Sequence, residues 1–419
     1  VSATTAELEA LIEGAFAPDP PARLGVAVSG GGDSVALMHL LAAWAKKTGV
    51  VLKVATVNHG LRKEAADEAE FVAQVAQQLG LAHETLTWQG WQGDGNLQDA
   101  ARQARYRLLA DWAVREELAA VAVAHTRDDQ AETVLLQLAR MAGVDGLAAM
   151  PARKWQHGMW FQRPLLRAGR ADLRDYLRAI GQRWIEDPSN EDRSFDRIKA
   201  RDTLAVLSEL GIDAATLAGV AANMAKARDA LDWHAFLSAK EVVRIDRGDV
   251  VIDRKGWRAL NDEIARRILK RALLWVGRAP YPPRQAKLAQ LIGALKRGQG
   301  QTLGGCLVVV EETQIRICRE ALALRGIRLP QHAIWDGRWR VIGPVEEGAE
   351  LAALGEAGLR ACPEWRASGL PAASLKSSPA IWRKDELVAA PLAGFNPLWR
   401  AELLGGSESF FAGMLPQAK

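Results

Sequence analysis

Along the first 190 or so residues, short apolar runs alternate with longer stretches in which apolar positions recur every three or four residues. Leu24 to Val28, Val51 to Val57, His83 to Trp88 and Val121 to Ala124 read as strands, and residues 34–48, 64–80, 97–118 and 129–141 as the helices between them. This alternation predicts a parallel sheet with helices on both faces, an α/β fold. Ahead of it, VSATTAELEALIEGAF predicts an acidic amphipathic helix. Beyond 210 the pattern changes: residues 213–240 and 258–276 read as helices, and a further helix, a Gly-rich turn with Lys296 and Arg297 and a hairpin of short strands follow. From about 327, Gly, Pro and Trp punctuate short strands and loops. The expected organisation is a domain over 1–209, a mostly helical α+β domain over 210–326 and a small β-rich domain over 327–419.

A chain of 419 residues suits several domains. Lys and Arg exceed Asp and Glu by only 54 to 50, a bias that permits a polyanionic partner without demanding one. Cys306, Cys318 and Cys362 are widely spaced and form no CxxC, which points away from a disulfide framework or a zinc site and fits a reducing cytoplasm. Neither a basic and apolar leader nor an uncharged stretch of membrane length is found, so export and membrane anchoring are not expected. The 15 tryptophans sit mostly at apolar positions and are assigned to packing.

The first chemistry lies in VAVSGGGDSVAL, residues 26–37. A Walker loop needs a lysine after its glycines, and none follows until Lys46. The third glycine of a dinucleotide fingerprint is also missing, its place taken by Asp33, Ser34 and Val35. What remains is a strand, a Ser-Gly-Gly-Gly-Asp-Ser turn and a helix start. Backbone N–H groups of Gly30, Gly31, Gly32, Asp33 and Ser34, with the hydroxyls of Ser29 and Ser34, would cradle an anion. Asp33 would repel phosphate unless a divalent cation bridges the two, which points to a Mg-bound triphosphate. The plainer alternative is an ordinary turn with Asp33 or Ser34 as helix cap.

Other polar residues follow the strands directly, where ligands bind in parallel sheets: Asn58 and His59 after the second, His125 after the fourth. In GNLQDAARQARYRLLADWA, Gly-Asn opens a helix that brings Gln98, Arg102 and Arg105 within reach of one face, as a cationic clamp or a solvated face. In HTRDDQAET, Asp129 with Glu132 makes an acceptable capping box. That does not account for His125, Asp128 and Asp129 together, which could hold a metal, orient an ammonium or accept a proton. Gly143 can end this helix and Gly146 let a loop pass near the site. Arg163, Arg167, Arg170, Arg174 and Arg178, then Arg193, Arg197, Lys199 and Arg201, are either a solvated helix interleaved with Asp172 and Asp175 or contacts to nucleic-acid phosphates.

The SGGGDS turn resembles the loop of the N-type ATP pyrophosphatases. With NHGLR at 58, GNLQDAARQARY at 95, HTRDDQAET at 125, GVDGL at 143, RPLL at 163 and WIEDPSNED at 184, the first 200 residues closely resemble the tRNA(Ile)-lysidine synthetases. WDGRWRVIG resembles the start of the carboxyl-terminal domain in longer members. The resemblance implies ATP-dependent adenylation of the wobble cytidine in a CAU-anticodon isoleucine tRNA, then attack by the side-chain amine of free lysine, with release of pyrophosphate and AMP. It implies ATP binding by Ser29 to Ser34, with Asp33 also on Mg and His59 flanking the nucleotide. Arg102 and Arg105 would stabilise the adenylate. Asp129 would orient lysine or metal, with Asp128 and Glu132 as further candidates and His125 beside the substrate. Arg167, Arg170, Arg174, Arg197 and Arg201 would meet tRNA, the domains beyond 210 would read anticodon and acceptor stem, and a homodimer would be compatible. One position departs: members often carry a second histidine where Thr126 stands, which puts a role for that imidazole in doubt. Sulfur transfer by a tRNA thiolase is disfavoured because the first 300 residues contain no cysteine. An ammonia-using synthetase is disfavoured by the arginine-rich segment, and a noncatalytic binder by Asp33, which binding alone would not need.

Overall fold

A computed structural model describes residues 3–60, 65–88, 97–186, 196–279 and 281–415, with the backbone alone at residue 98. These fall into two compact units, one ending at Arg228 and one beginning at Asp229.

The first unit is built on six strands: β1 (Arg23–Ala27), β2 (Val51–Asn58), β3 (Ala82–Thr87), β4 (Val121–Ala122), β5 (Arg153–Gln156) and β6 (Met159–Gln162). They lie in the order β3-β2-β1-β4-β6-β5, parallel except for β5, which closes one edge antiparallel to β6. The expected parallel sheet is therefore extended by a hairpin that the periodicity did not predict. Its strands have four residues each, too few for alternation to stand out, and its turn, His157 and Gly158, takes φ 52° and 79°, the twist that two-residue hairpins require.

Helices α1 (Thr5–Phe16), α2 (Gly32–Thr48), α3 (Ala65–Gln78), α4 (Leu97–Arg115), α5 (Arg127–Ala139), α6 (Val144–Leu147), α7 (Arg170–Ala179) and α8 (Asp196–Leu207) surround the sheet. Leu8, Ile12, Leu37, Leu41, Val72, Leu173 and Leu177 bury one face together with Val26. Tyr106, Leu109, Trp112 and Phe161 bury the other against Ala55 and Val121. Because both faces are covered, the carboxyl ends of β1 and β4 are where polar side chains can collect. The approach of α4 to the sheet is close: a Cβ on Gly25, in the middle of β1, would lie 2.7 Å from the Trp112 ring.

Helix α9 (Ala214–Val242) leads into the second unit, where β7 (Val243–Asp246), β8 (Asp249–Asp253), β9 (Gln301–Leu303), β10 (Cys306–Val310) and β11 (Gln314–Arg319) form an antiparallel sheet in the order β7-β8-β11-β10-β9. The expected hairpin is present, widened by β7 and β8. Helices α10 (Arg254–Ala259), α11 (Asp262–Gly277) and α12 (Gln285–Lys296) accompany it, with Ile268, Leu269 and Leu273 of α11 packed on its core. Beyond 326 come a four-stranded sheet including Ala349–Ala353 and Pro379–Arg383 and a three-stranded sheet including Trp339–Ile342 and Arg400–Leu403. Residues on the two sides of 326 share one unit: Phe410 and Phe411 return to the core of α11, and the buried Asp249 accepts hydrogen bonds from Arg316 at 2.8 Å and from Ser374. Cys306, Cys318 and Cys362 are buried and unpaired. No single described helix is long and apolar enough to cross a membrane.

Gly25→Ala is expected to overpack the junction of β1 and α4. It should lower unfolding free energy by about 1–3 kcal/mol, read from the urea midpoint.

Candidate active site

The SGGGDS turn joins β1 to α2. Gly30 takes φ 90°, a conformation that side chains rarely adopt, and Gly31 occupies the N-cap position with no side-chain cap. Neither Asp33 nor Ser34 is the helix cap of the plainer sequence reading. The Ser34 hydroxyl instead closes the turn, donating to Gly31 O at 2.8 Å and accepting from Ser29 N at 3.1 Å. Ile185 N donates to Gly30 O at 2.9 Å, and the Trp184 and Ile185 side chains wall the glycines, so that a Cβ on Gly30 would lie 2.8 Å from Ile185. Gly31 is open: its Cβ would meet nothing nearer than Ser29 Oγ at 3.8 Å. An uncapped helix start with an open glycine is a suitable seat for phosphate.

Beside the loop lies an acidic cluster organised by one arginine. Arg170 reaches Asp33 through Nε at 3.2 Å, Asp129 through Nη2 at 3.2 Å and Glu132 through Nη1 at 3.4 Å, while its backbone N donates to Asp128 at 2.8 Å. Arg201 adds a second bond to Glu132 at 3.1 Å. Burial raises the Asp33 carboxyl to about 6, with Asp129 and Asp128 adding to the effect against Arg170. Burial also opposes the charge on Asp129, but Arg170 and the Thr126 N–H outweigh it and hold that carboxyl below its ordinary range. Glu132 Oε2 is buried without a hydrogen-bond partner.

A cationic group faces His125 from the other side. Arg102 and Arg105 lie 5.2 and 5.5 Å from the Tyr106 ring, which is buried edge-on against Phe161. Burial resists the Tyr106 phenolate, yet Arg105, Arg102 and Arg163 together lower its proton affinity, a sign of strong positive potential. Burial and then Arg163 drive His125 down to about 3, so its imidazole is neutral, with Nδ1 buried and unpartnered. His59 is also held below its usual value by burial and Arg105, and it meets Trp88 edge-on.

Several expectations change. Arg170, expected on tRNA, is the centre of the acidic cluster because α7 begins at that residue and aims it inward. Arg201 is likewise engaged with Glu132. Arg163 is buried and donates to Pro151 O at 2.9 Å, so the five arginines do not form one helix face. Arg167 and Arg197 are exposed, and Arg174 lies 3.9 Å from Glu186. The capping box of α5 pairs Thr126 with Asp129, not Asp129 with Glu132: Thr126 N donates to Asp129 Oδ2 at 2.8 Å. Thr126, the departure from the resemblance, thus orients Asp129. Gly143 does not end α5, which stops at Ala139, but opens the short α6. Arg62 of the NHGLR motif, the Gly95-Asn96 helix start, the side chain of Gln98, Arg193 and the DPSNED stretch lie outside the described residues. The sequence reading missed Arg170 as the hub; the signal was a cation at the first position of a helix, where the dipole disfavours it unless acids are near.

Among the described residues no group of three or more His, Cys, Asp or Glu forms a metal cage. Asp33 alone at the loop fits a Mg ion bound mostly by phosphate and water, which needs only one or two carboxylates.

A PP-loop domain family model matches residues 4–207. The tRNA(Ile)-lysidine synthase of Ruegeria pomeroyi is 56% identical over 400 residues, covering 96% of each chain. The chain belongs to the tRNA(Ile)-lysidine synthase family. The synthase of a Bradyrhizobium species is 39% identical, covering 70% of this chain and 89% of its own. Among solved structures, a U34-tRNA thiolase from Methanococcus maripaludis superposes with TM-score 0.47 at 16% identity over 53% of this chain and 78% of its own. Family membership makes the chain a carbon–nitrogen ligase with an ATP-using PP-loop domain.

Two stability outcomes follow from the acidic cluster. A carboxyl raised to about 6 favours the protonated form in the folded state, so its ionisation opposes folding; this penalty is absent below the ordinary value of 3.8 and is full above 6. Asp33→Asn should therefore stabilise the ligand-free protein by about 1–2 kcal/mol at pH 8 and leave it unchanged near pH 4, measured by denaturant titration. Arg170→Gln, which leaves buried carboxylates uncompensated, should destabilise by about 3 kcal/mol at pH 8.

Proposed function

We propose that this chain ligates lysine to the 2-carbon of the wobble cytidine of the CAU-anticodon isoleucine tRNA, through an adenylated cytidine, forming lysidine with release of AMP and pyrophosphate. One observation carries the reading: the phosphate-loop residue Asp33 and the α5 carboxylates share a single guanidinium, so a triphosphate site and an ammonium site adjoin.

The loop from Ser29 to Ser34 binds the ATP phosphates, and Asp33 would hold a Mg ion, which would supply charge neutralisation for pyrophosphate as a leaving group. Arg102 and Arg105 stabilise negative charge around the activated cytidine, and His59 borders the nucleotide. Glu132 and Asp129 bind the lysine ammonium, Glu132 through the oxygen that lacks a partner. Asp129, with its lowered proton affinity, anchors the ammonium more effectively than it removes a proton. The neutral His125 accepts a hydrogen bond from a substrate N–H at its free Nδ1. Exposed Arg167 and Arg197, with Arg174, contact tRNA phosphates, and the segments 210–326 and 327–419 serve as tRNA-binding domains. A tRNA substrate places the reaction in the cytoplasm. Sulfur transfer is disfavoured because no cysteine occurs before Cys306.

The test supplies Mg-ATP, radiolabelled lysine and two unmodified transcripts, the CAU isoleucine tRNA and the elongator methionine tRNA with the same anticodon. Label should enter only the isoleucine transcript, and Asp33→Ala should reduce it by about 100-fold or more. Pyrophosphate release with no lysine incorporation would discard lysine as the nucleophile.

A further inference from the structure

The second unit carries a cavity of about 210 Å³ whose lining includes three arginines, Arg271, Arg278 and Arg338, together with Trp275, Gly337 and Ser409, and no carboxylate. Among the described residues, none of the three guanidiniums makes an ion pair within 4 Å. Arg271 donates Nε to Phe410 O at 2.8 Å and Nη2 to Ser409 O. Arg338 is buried, donates to the carbonyls of Val276 and Gly248, and lies 4.5 Å over the face of Trp275. Arg278 is exposed at the end of α11, over Gly337, where a Cβ would come within 3.3 Å of its Nη2. The nearby Asp336 is engaged by Arg319 at 2.9 and 3.2 Å.

Backbone carbonyls hold Arg271 and Arg338 in place; Asp336 and Asp249 act on Arg338 from outside the cavity, whereas among the described residues no carboxylate acts on Arg271. The carboxyl end of α11 contributes about half a negative charge, against three positive ones. Burial and then Arg278 lower Arg271 to about 10, and burial lowers Arg338 to about 10 against the opposing pull of Asp336 and Asp249, which are themselves bonded to Arg319 and Arg316. Two are fixed by the fold and the third stands at the surface, an arrangement that meets one tetrahedral anion with several N–H groups at little ordering cost. We infer that this pocket binds a backbone phosphate of the RNA substrate, with Arg278 as its outer contact.

The inference rests on the reading of the substrate as RNA, but binding is measured without ATP or lysine, so failure of ligation leaves it readable. The affinity of the full chain for the isoleucine transcript is measured from 50 to 300 mM salt for wild type, Arg278→Gln and Arg278→Lys, with melting curves confirming folding. Loss of one phosphate contact in Arg278→Gln should weaken binding about five- to tenfold near 0.1 M salt and flatten the salt dependence by about one ion, with Arg278→Lys restoring the slope. Unchanged affinity and slope in a folded Arg278→Gln protein would overturn the inference. So would a loss confined to calorimetric binding of inorganic phosphate with RNA affinity intact, which would make the pocket a free-anion site.

Discussion

The catalytic unit is organised around the electrostatic demand of four carboxylates that cannot share a small volume unless a cation lies among them. At an effective dielectric of about 20, two carboxylates about 5 Å apart repel by roughly 3 kcal/mol, and Asp33, Asp128, Asp129 and Glu132 all gather around one residue, Arg170. Arg170 answers with all three guanidinium nitrogens and its backbone N–H. Its position is itself set by the fold. Gly169 N donates to Asp172 at 3.0 Å at the start of α7, and Arg127 N donates to Ala168 O at 2.9 Å, tying α7 to α5. The loop after β1, the helix after β4 and α7 thus meet at one charge, and the end of the sheet gains a defined site.

That site has two poles. Acids converge where α5 and α7 begin; arginines gather on α4 around Tyr106. His125 stands between them, neutral because burial and Arg163 act together against its protonation. On the proposed reading, a lysine bound as its ammonium, which loses a proton before it attacks, and an adenylated cytidine call for opposite potentials side by side, which a single uniformly charged cleft could not supply. The Thr126–Asp129 capping box sharpens the division, because its return bond from the Thr126 N–H adds to Arg170 in holding Asp129 below its ordinary range.

What could be read in the sequence was local. Strands β1 to β4 and helices α2 to α5 follow apolar periodicity, and SGGGDS is contiguous, so turn, helix start and carboxylate announce themselves together. The hairpin of β5 and β6 was hidden because four residues carry too little pattern. Arg170 was hidden for another reason: its partners lie 137, 41 and 38 positions away. Spacing among neighbouring arginines describes a helix face, and Arg170 leaves that face because the helix begins at it. Thr126 was read as a missing imidazole when its role is to cap; recognising it required knowing which residue opens α5.

The ligand-free site is also incomplete in a directed way. Asp33 is held at a raised proton affinity, Glu132 keeps one buried oxygen unpaired and His125 one buried nitrogen. Each is unfavourable alone, and on the proposed reading each would be met by a different part of the chemistry: a cation at Asp33, an ammonium at Glu132, a substrate N–H at His125. Arg170 bridges Asp33 to Asp129 and Glu132, so the phosphate loop and the α5 carboxylates share one counter-charge. The residue that permits the acids to fold together thus also joins the loop after β1 to the start of α5.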